Sequence, residues 1–373
     1  MFFPDKCQFM VAKKGTGCYN EKNSHQGDKA MSRPKTPTRK DVAQLAGVSE
    51  TVVSYVLNNN RAVAKEKRER VLAAVEQLNY HPNNVALALK GKRSHHILFI
   101  CDNISNEYFG KLVEEMAKVA SQRGYLISLT GSRNDQDFVS QICSYALDGI
   151  VISSTSFEEK YVMQLIRSGI PVVLLMTREY EGVAGKAAQI YTGIQNGMNE
   201  CVRLLNCMGR KHIIYIDRVS KKRQFSTMAD WRYNGYVTKM QECGFKITKD
   251  NVIVGYETEE DLYTGLRERI KAGLKVDGIV GRNDPLACVA MAVVQECGLR
   301  VPEDVAVLGF DNSRISHYSV PGLSSVELNK PGIAKAIMEA FEVMISGGEP
   351  PVIYFDAHIV QRESTGFFSL PEK

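Results

Sequence analysis

Residues 38–58 read TRKDVAQLAGVSETVVSYVLN, and this stretch decides how the chain is organised. Val42, Ala43 and Ala46 fall on one face of a short helix, at the spacing a buried stripe needs. Gly47 accepts the left-handed backbone that ends a helix. Ser49 offers an N-cap oxygen to a second helix, whose apolar stripe is Val52, Val53, Val56 and Leu57. Glu50, Thr51 and Tyr55 are left on the outer face of that second helix. Two short helices joined at a glycine form a helix-turn-helix, whose second helix enters the DNA major groove. A plain αα-hairpin inside some core is the alternative, and the rest of the chain weighs against it.

Beyond an Asn58–Asn60 loop, Lys65 to Leu78 forms an amphipathic third helix. Its apolar side is Val71, Leu72, Val75 and Leu78, with Lys67, Arg68 and Arg70 toward solvent. Tyr80, His81, Pro82 and Asn83 break it. Asn83 to Lys90 has length for one or two further turns, too few for a helix that stands alone. Residues 82–93 therefore read as a basic hinge that orders on binding, after a helix-turn-helix domain over 36–81. Residues 32–93 carry 12 Lys and Arg against 5 Asp and Glu, whereas residues 94–373 carry 30 against 34. A basic head on a slightly acidic body means that the head is the part that meets a polyanion. In front of it, residues 1–35 have no periodicity and read as a disordered tail, with Met31 as the expected native initiator.

From His96 the texture changes. Apolar runs at 97–100, 125–129, 149–152, 171–175, 212–216, 252–254, 278–280 and 305–309 alternate with helical patterns. Repeated βα units mean parallel sheets with helices on both faces, about nine strands in two doubly wound halves. A ligand then sits at the strand C-termini, in the cleft between the halves. Residues 94–373 form this body, with passages between the halves expected near 192, 312 and 328.

Several classes drop out. Nine cysteines without a Cys-x-x-Cys pair or Cys/His cluster give neither a zinc site nor a disulfide framework, which fits a reducing cytoplasm. Every apolar run is strand length, short of the roughly 20 residues of a membrane span. The start lacks the charged and apolar regions of a signal peptide. No glycine-rich phosphate loop or nucleophile motif is present, so an enzyme, a cofactor and a metal are not expected. A solute-binding protein without a DNA role would need a signal peptide and no helix-turn-helix. A regulator controlled by a protein partner is the other alternative.

The motifs now combine. Asp41-Val42-Ala43, Ala46-Gly47-Val48-Ser49, Val56-Leu57-Asn58 and Leu78-Asn79-Tyr80-His81-Pro82-Asn83 precede a set of body motifs. These are Ile104-Ser105-Asn106, Asp148-Gly149-Ile150, Gly169-Ile170-Pro171, Arg232 with Gly235-Tyr236, Asn283-Asp284, Val301-Pro302-Glu303-Asp304, Gly309-Phe310-Asp311-Asn312 and Gln361-Arg362-Glu363-Ser364. Together they resemble the lactose/galactose repressor family of bacterial transcription regulators, from about residue 36 to the C-terminus. The resemblance implies a body of periplasmic-binding-protein type, an α/β fold. It also implies a cytoplasmic homodimeric regulator, a repressor, that binds a near-palindromic double-stranded operator under control of a small-molecule effector, a sugar or sugar derivative.

It also implies site residues. On the DNA side these are Thr38, Arg39, Ser49, Glu50, Thr51, Ser54, Tyr55, Asn58 and Arg61, with Asn83, Ala86 and Leu89 in the hinge. Thr51, Tyr55 and Glu50 occupy base-reading positions, Arg39, Lys40, Arg61 and Lys65 suit phosphates, and Leu89 is the minor-groove wedge. On the effector side they are Asn106, Tyr108, Phe109, Arg232, Asn283 and Asp311. The chain departs from the family pattern at Leu87, at Thr192-Gly193, at Met176-Thr177-Arg178 and at Ser226, where charged residues are usual. The loss at Leu87 points to a weaker grip on the DNA backbone, and the three in the body point to a less polar ligand or to a pocket that binds nothing tightly.

Overall fold

The computed structural model describes residues 37–59, 61–82, 93–221 and 223–368. The chain divides into two units, Met1–Asn83 and Asn84–Lys373. The hinge residues Asn83, Ala86, Leu87 and Leu89, and the tail with Met31, lie outside the described residues.

In the first unit, α1 (Arg39–Ala46) opens on a capping box: Thr38 accepts from the Asp41 amide while the Asp41 carboxylate accepts from the Thr38 amide. Gly47 closes it with φ +63°, a conformation that a side chain would strain. α2 (Glu50–Asn58) begins at Ser49, whose hydroxyl accepts from the Val52 amide, and α3 (Lys65–Gln77) packs across both. The small core is Val42, Ala43, Ala46, Val53, Val56, Val71, Ala74 and Tyr80. Leu72, expected inside, is exposed. One residue along a helix is a turn of about 100°, so Val71 and Ala74 share the inward side and Leu72 does not.

The second unit holds two six-stranded sheets. The first has the order β11-β5-β4-β3-β1-β2, from β1 (His96–Cys101), β2 (Leu126–Gly131), β3 (Gly149–Ser153), β4 (Val172–Met176), β5 (Ala188–Tyr191) and β11 (Val352–Tyr354). The second has the order β12-β10-β9-β8-β6-β7, from β6 (Ile213–Ile216), β7 (Val252–Ile253), β8 (Gly278–Gly281), β9 (Ala306–Phe310), β10 (Ser324–Leu328) and β12 (Ala357–Val360). All pairings are parallel except β10 with β12. The first sheet is flanked by α4 (Glu107–Gln122), α5 (Gln136–Ser144) and α6 (Glu159–Arg167). Around the second lie α7 (Ile194–Cys207), α8 (Trp231–Glu242), α9 (Glu259–Lys271), α10 (Asp284–Glu296) and the short α11 (Arg314–Tyr318). The last helix, α12 (Lys330–Ile345), returns to pack on α4.

The described residues thus contain twelve strands rather than nine. β5, β10 and β12 are short and mix polar with apolar residues, as in Gln189, Ser324, Ser325 and His358, so no apolar run marks them, and β11 is only three residues long. The chain passes between sheets after β5, after β10 and between β11 and β12. The third passage therefore falls at 355–356 rather than near 312, because β9, α11 and β10 all belong to the second sheet. At the first passage Gly193 has φ +84°, and a Cβ there would lie 2.7 Å from the Ala357 amide nitrogen of the third. The crossing strands touch at a place only glycine fits.

Candidate functional site

Two sites follow, one in each unit. On α2, Glu50 and Thr51 are exposed and Tyr55 is half-buried, while Val53 and Val56 turn into the core. Arg61 lies over the Tyr55 ring at 5.2 Å and donates to its hydroxyl at 3.4 Å. Asn58 donates to Ser54 at 3.1 Å. Side-chain positions on this face are therefore held before any ligand arrives, which lowers the entropy of ordering them on binding. The oxygens of Thr38 and Ser49 serve as caps, so these two residues set where the helices begin.

The second site is a cavity of about 380 Å³ between the two sheets, at the C-terminal ends of their strands. Asn106, Phe109, Arg232, Asn283 and Asp311 line it. Tyr108 does not: it is 5 % exposed, in the core behind, where burial pushes its hydroxyl pKa upward. Asn106 and Asn283 are the N-caps of α4 and α10, so their carbonyl oxygens are taken by the Tyr108 and Leu286 amides. Their amide NH2 groups remain as donors. Arg232 bonds Asp311 at 2.9 Å and lies 4.7 Å from the Phe310 ring centre. Lys330, buried at the second passage, donates to the Asp311 carbonyl at 3.0 Å. Asp311 and Asn312 both have positive φ, +95° and +45°. For a non-glycine residue that is backbone strain, held here by the contacts around it.

The cavity is far more charged than the sequence departures implied. Arg218 and Arg282 join Arg232 in its wall, and Asp102 faces them from the end of β1. Arg282 donates to Asp230 at 2.7 Å and to Ser226 at 2.9 Å, with Asp217 at 3.6 Å. Arg218 donates to the same Asp230 oxygen at 2.5 Å. Burial alone would raise the Asp230 pKa, but Arg282 and Arg218 hold it below the usual carboxylate range. Ser226, noted as a lost arginine, is instead the hydroxyl that ties Asp217, Arg282 and Arg218 together. Asp102 accepts from the hydroxyls of Ser154, Thr155 and Ser156 and from the Thr155 amide. Asp284, next to Asn283, is fully buried and accepts from Ser313 and Ser325; burial raises it to about 6.

Asp102, Arg218 and Arg282 escaped the sequence reading, although one signal marks them. Each comes one or two residues after a parallel strand (β1, β6 and β8), the position that faces a cleft in this architecture. Among the described residues no cluster of His, Cys, Asp and Glu could hold a metal, and no helix is long and apolar enough to cross a membrane.

Comparison with known proteins agrees with both units. Residues 38–83 match the bacterial regulatory proteins of the lacI family, and residues 202–365 match the periplasmic binding protein-like domain. The transcriptional repressor PurR of Pasteurella multocida is 30% identical over 338 residues, covering 88% of this chain and 98% of that protein. The transcriptional regulator RegA of Clostridium saccharobutylicum is 27% identical over 334 residues, covering 87% and 98%. Among solved structures, the lac repressor dimer bound to operator and an anti-inducer aligns with a TM-score of 0.75 at 22% identity, over 89% of this chain and 99% of that one. The regulator CelR in complex with cellobiose aligns with a TM-score of 0.63 at 23% identity, over 88% and 99%. The fold and head define a DNA-binding transcriptional regulator with a periplasmic-binding-protein-like body. The chain belongs to the LacI family of bacterial regulatory proteins.

Proposed function

We propose that this protein is a cytoplasmic repressor that binds a near-palindromic operator as a homodimer and is controlled by a small polar molecule in the cleft. The observation that carries the DNA side is the outer face of α2. Thr51 can donate or accept at a base edge, Tyr55 can donate or pack on a thymine methyl, and Glu50 can accept from cytosine N4. Arg39, Lys40, Arg61 and Lys65 position the head on phosphates. The proposed hinge, with Asn83, Ala86 and Leu89, orders in the minor groove and sets the spacing of the two heads.

On the effector side, Arg232, Asp311, Asn106 and Asn283 bond hydroxyls and Phe109 packs on a ring face. A ligand bridging the two sheets changes their relative closure, and by linkage the operator changes ligand affinity by the same factor. The test is a gel shift with the promoter fragment upstream of the protein's own gene against a scrambled fragment, across a salt series. A sequence-specific complex of two chains per site supports the reading. Binding that is equal on both fragments, or a one-to-one complex, overturns it.

A further inference from the structure

The cleft has an annex. A second cavity of about 220 Å³ is lined by Thr155, Arg178, Arg218, Phe225, Ser226, Thr227, Ala229 and Asp230. It shares Thr155 and Arg218 with the main cavity, so the two lie side by side. Arg178 comes from the end of β4 and Arg218 from the end of β6, one from each sheet.

Two observations make the annex unusual. Arg178 donates to the Phe157 carbonyl at 2.6 Å and lies 4.4 Å from the Tyr180 ring centre, with no carboxylate partner among the described residues. Moreover, the Nε atoms of both Arg178 and Arg218, like that of Arg232 in the main cavity, are buried without a hydrogen-bond partner. Buried polar atoms are normally satisfied, and an orphaned guanidinium nitrogen is unused donor capacity on a side chain that lines the annex. The one acid in the annex, Asp230, is already shared by Arg218 and Arg282. It is also the N-cap of α8, so that helix starts at the annex wall and favours negative charge there. The hydroxyl of Thr227, which accepts from the Ala229 amide, keeps its own proton as a further donor, whereas the Thr155 hydroxyl already donates to Asp102.

We infer that the annex is an oxyanion subsite, and that the effector is a phosphate monoester of a polyhydroxylated compound. The phosphate lies between Arg178 and Arg218, and the hydroxylated body lies in the main cavity against Arg232, Asp311 and Phe109. This inference rests on the effector reading of the cleft. A phosphate is preferred to a carboxylate because the donors come from several sides, two guanidiniums and the Thr227 hydroxyl, as a tetrahedral group with three free oxygens requires. The phosphate also joins the sheets, so that closing the cleft completes its coordination.

The test uses the full chain and two kinds of probe. Inorganic phosphate is titrated by calorimetry and thermal shift into the wild type and into Arg178→Gln, a variant that leaves no buried carboxylate unpaired. Phosphate is expected to bind the wild type in the millimolar range and raise its melting temperature, with affinity at least about tenfold weaker in Arg178→Gln. Absence of binding at tens of millimolar phosphate, or equal binding by both proteins (an adventitious ion only), overturns the subsite. Hexose and pentose phosphates are then compared with their parent sugars and with the matching sugar acids. The expected result is that a phosphate ester binds at least about tenfold tighter than its parent sugar, and that Arg178→Gln removes the difference while leaving parent-sugar affinity unchanged. A sugar or sugar acid that binds as tightly as any phosphate, and that Arg232→Ala abolishes, keeps the effector cleft and overturns the phosphate. Binding of phosphate alone, with no organic compound gaining from the main cavity, overturns the monoester effector.

Discussion

Arg282 gives the sharpest test of the cleft wall. Its side chain is buried, and it is the only cation within ion-pair distance of Asp217 among the described residues; Asp217 is itself 1 % exposed. Arg282→Ala removes bonds to Asp230 and Ser226 and leaves Asp217 as an unpaired buried carboxylate. Breaking a buried pair from one side costs about 3–5 kcal/mol. The lower end applies here, because Arg218 still holds Asp230 at 2.5 Å and the vacated space opens toward the cleft, where water can enter. A loss of about 3 kcal/mol corresponds to a fall of roughly 6–12 °C in the melting temperature of a domain this size. The assay is scanning calorimetry or urea unfolding of the full chain, read on the transition of the body. Asp217→Asn in the Arg282→Met background removes the orphaned charge and keeps the side-chain volumes, so it is expected to recover about half of the loss. A single-variant loss below about 1 kcal/mol, the level of a solvated surface pair, refutes the reasoning. So does a double variant no more stable than Arg282→Met alone.

Three further outcomes are expected. Tyr55→Ala should lose about 1–3 kcal/mol of specific operator binding and little non-specific binding, whereas Arg61→Ala should weaken both and reduce the salt slope by about one; competition gel shifts at several salt concentrations separate the two. Asp284 is raised by burial to about 6, so the folded state favours its protonated form: the stability it contributes is complete below the ordinary value of 3.8 and is lost as pH rises through about 6. Asp284→Asn should therefore flatten the stability-against-pH curve between about pH 4 and 6, and chemical denaturation across that range reads it. Trp231, the only tryptophan, begins α8 beside the second sheet and stacks at 5.1 Å on Tyr191 of the first. Its emission should shift when an effector closes the cleft, and Tyr191→Leu should abolish that shift without abolishing binding measured by calorimetry.

The parts of this architecture that were legible in the sequence are those governed by short-range rules. The α1–α2 turn announces itself through Gly47 and Ser49, and β1, β3, β4 and β8 through unbroken apolar runs. Arg232 and Asp311 were placed in the cleft through motifs, and they do meet there, 79 residues apart in sequence. What stayed hidden depends on distant partners. The Asp217–Ser226–Arg282 group joins a loop residue to one 56 positions later, and no local periodicity encodes that pairing. Arg218 and Arg282 looked like ordinary charged residues because their carboxylates lie on other elements. Tyr108 looked like a ring at the cleft mouth, but the N-cap at Asn106 starts α4 with Tyr108 turned into the core and Phe109 turned to the cavity.

The three passages between sheets carry a consequence for how such a gene can be cut. The last two strands, β11 and β12, are separated by only Phe355 and Asp356, yet β11 ends one sheet and β12 ends the other. Neither half of the body is encoded by one continuous stretch, so no single fragment reproduces either of them. A premature stop between residues 346 and 351 strips an edge strand from both halves at once, which leaves β5 and β10 each with one unpaired edge in one molecule. Late truncations should therefore behave as aggregating proteins and not as shortened regulators.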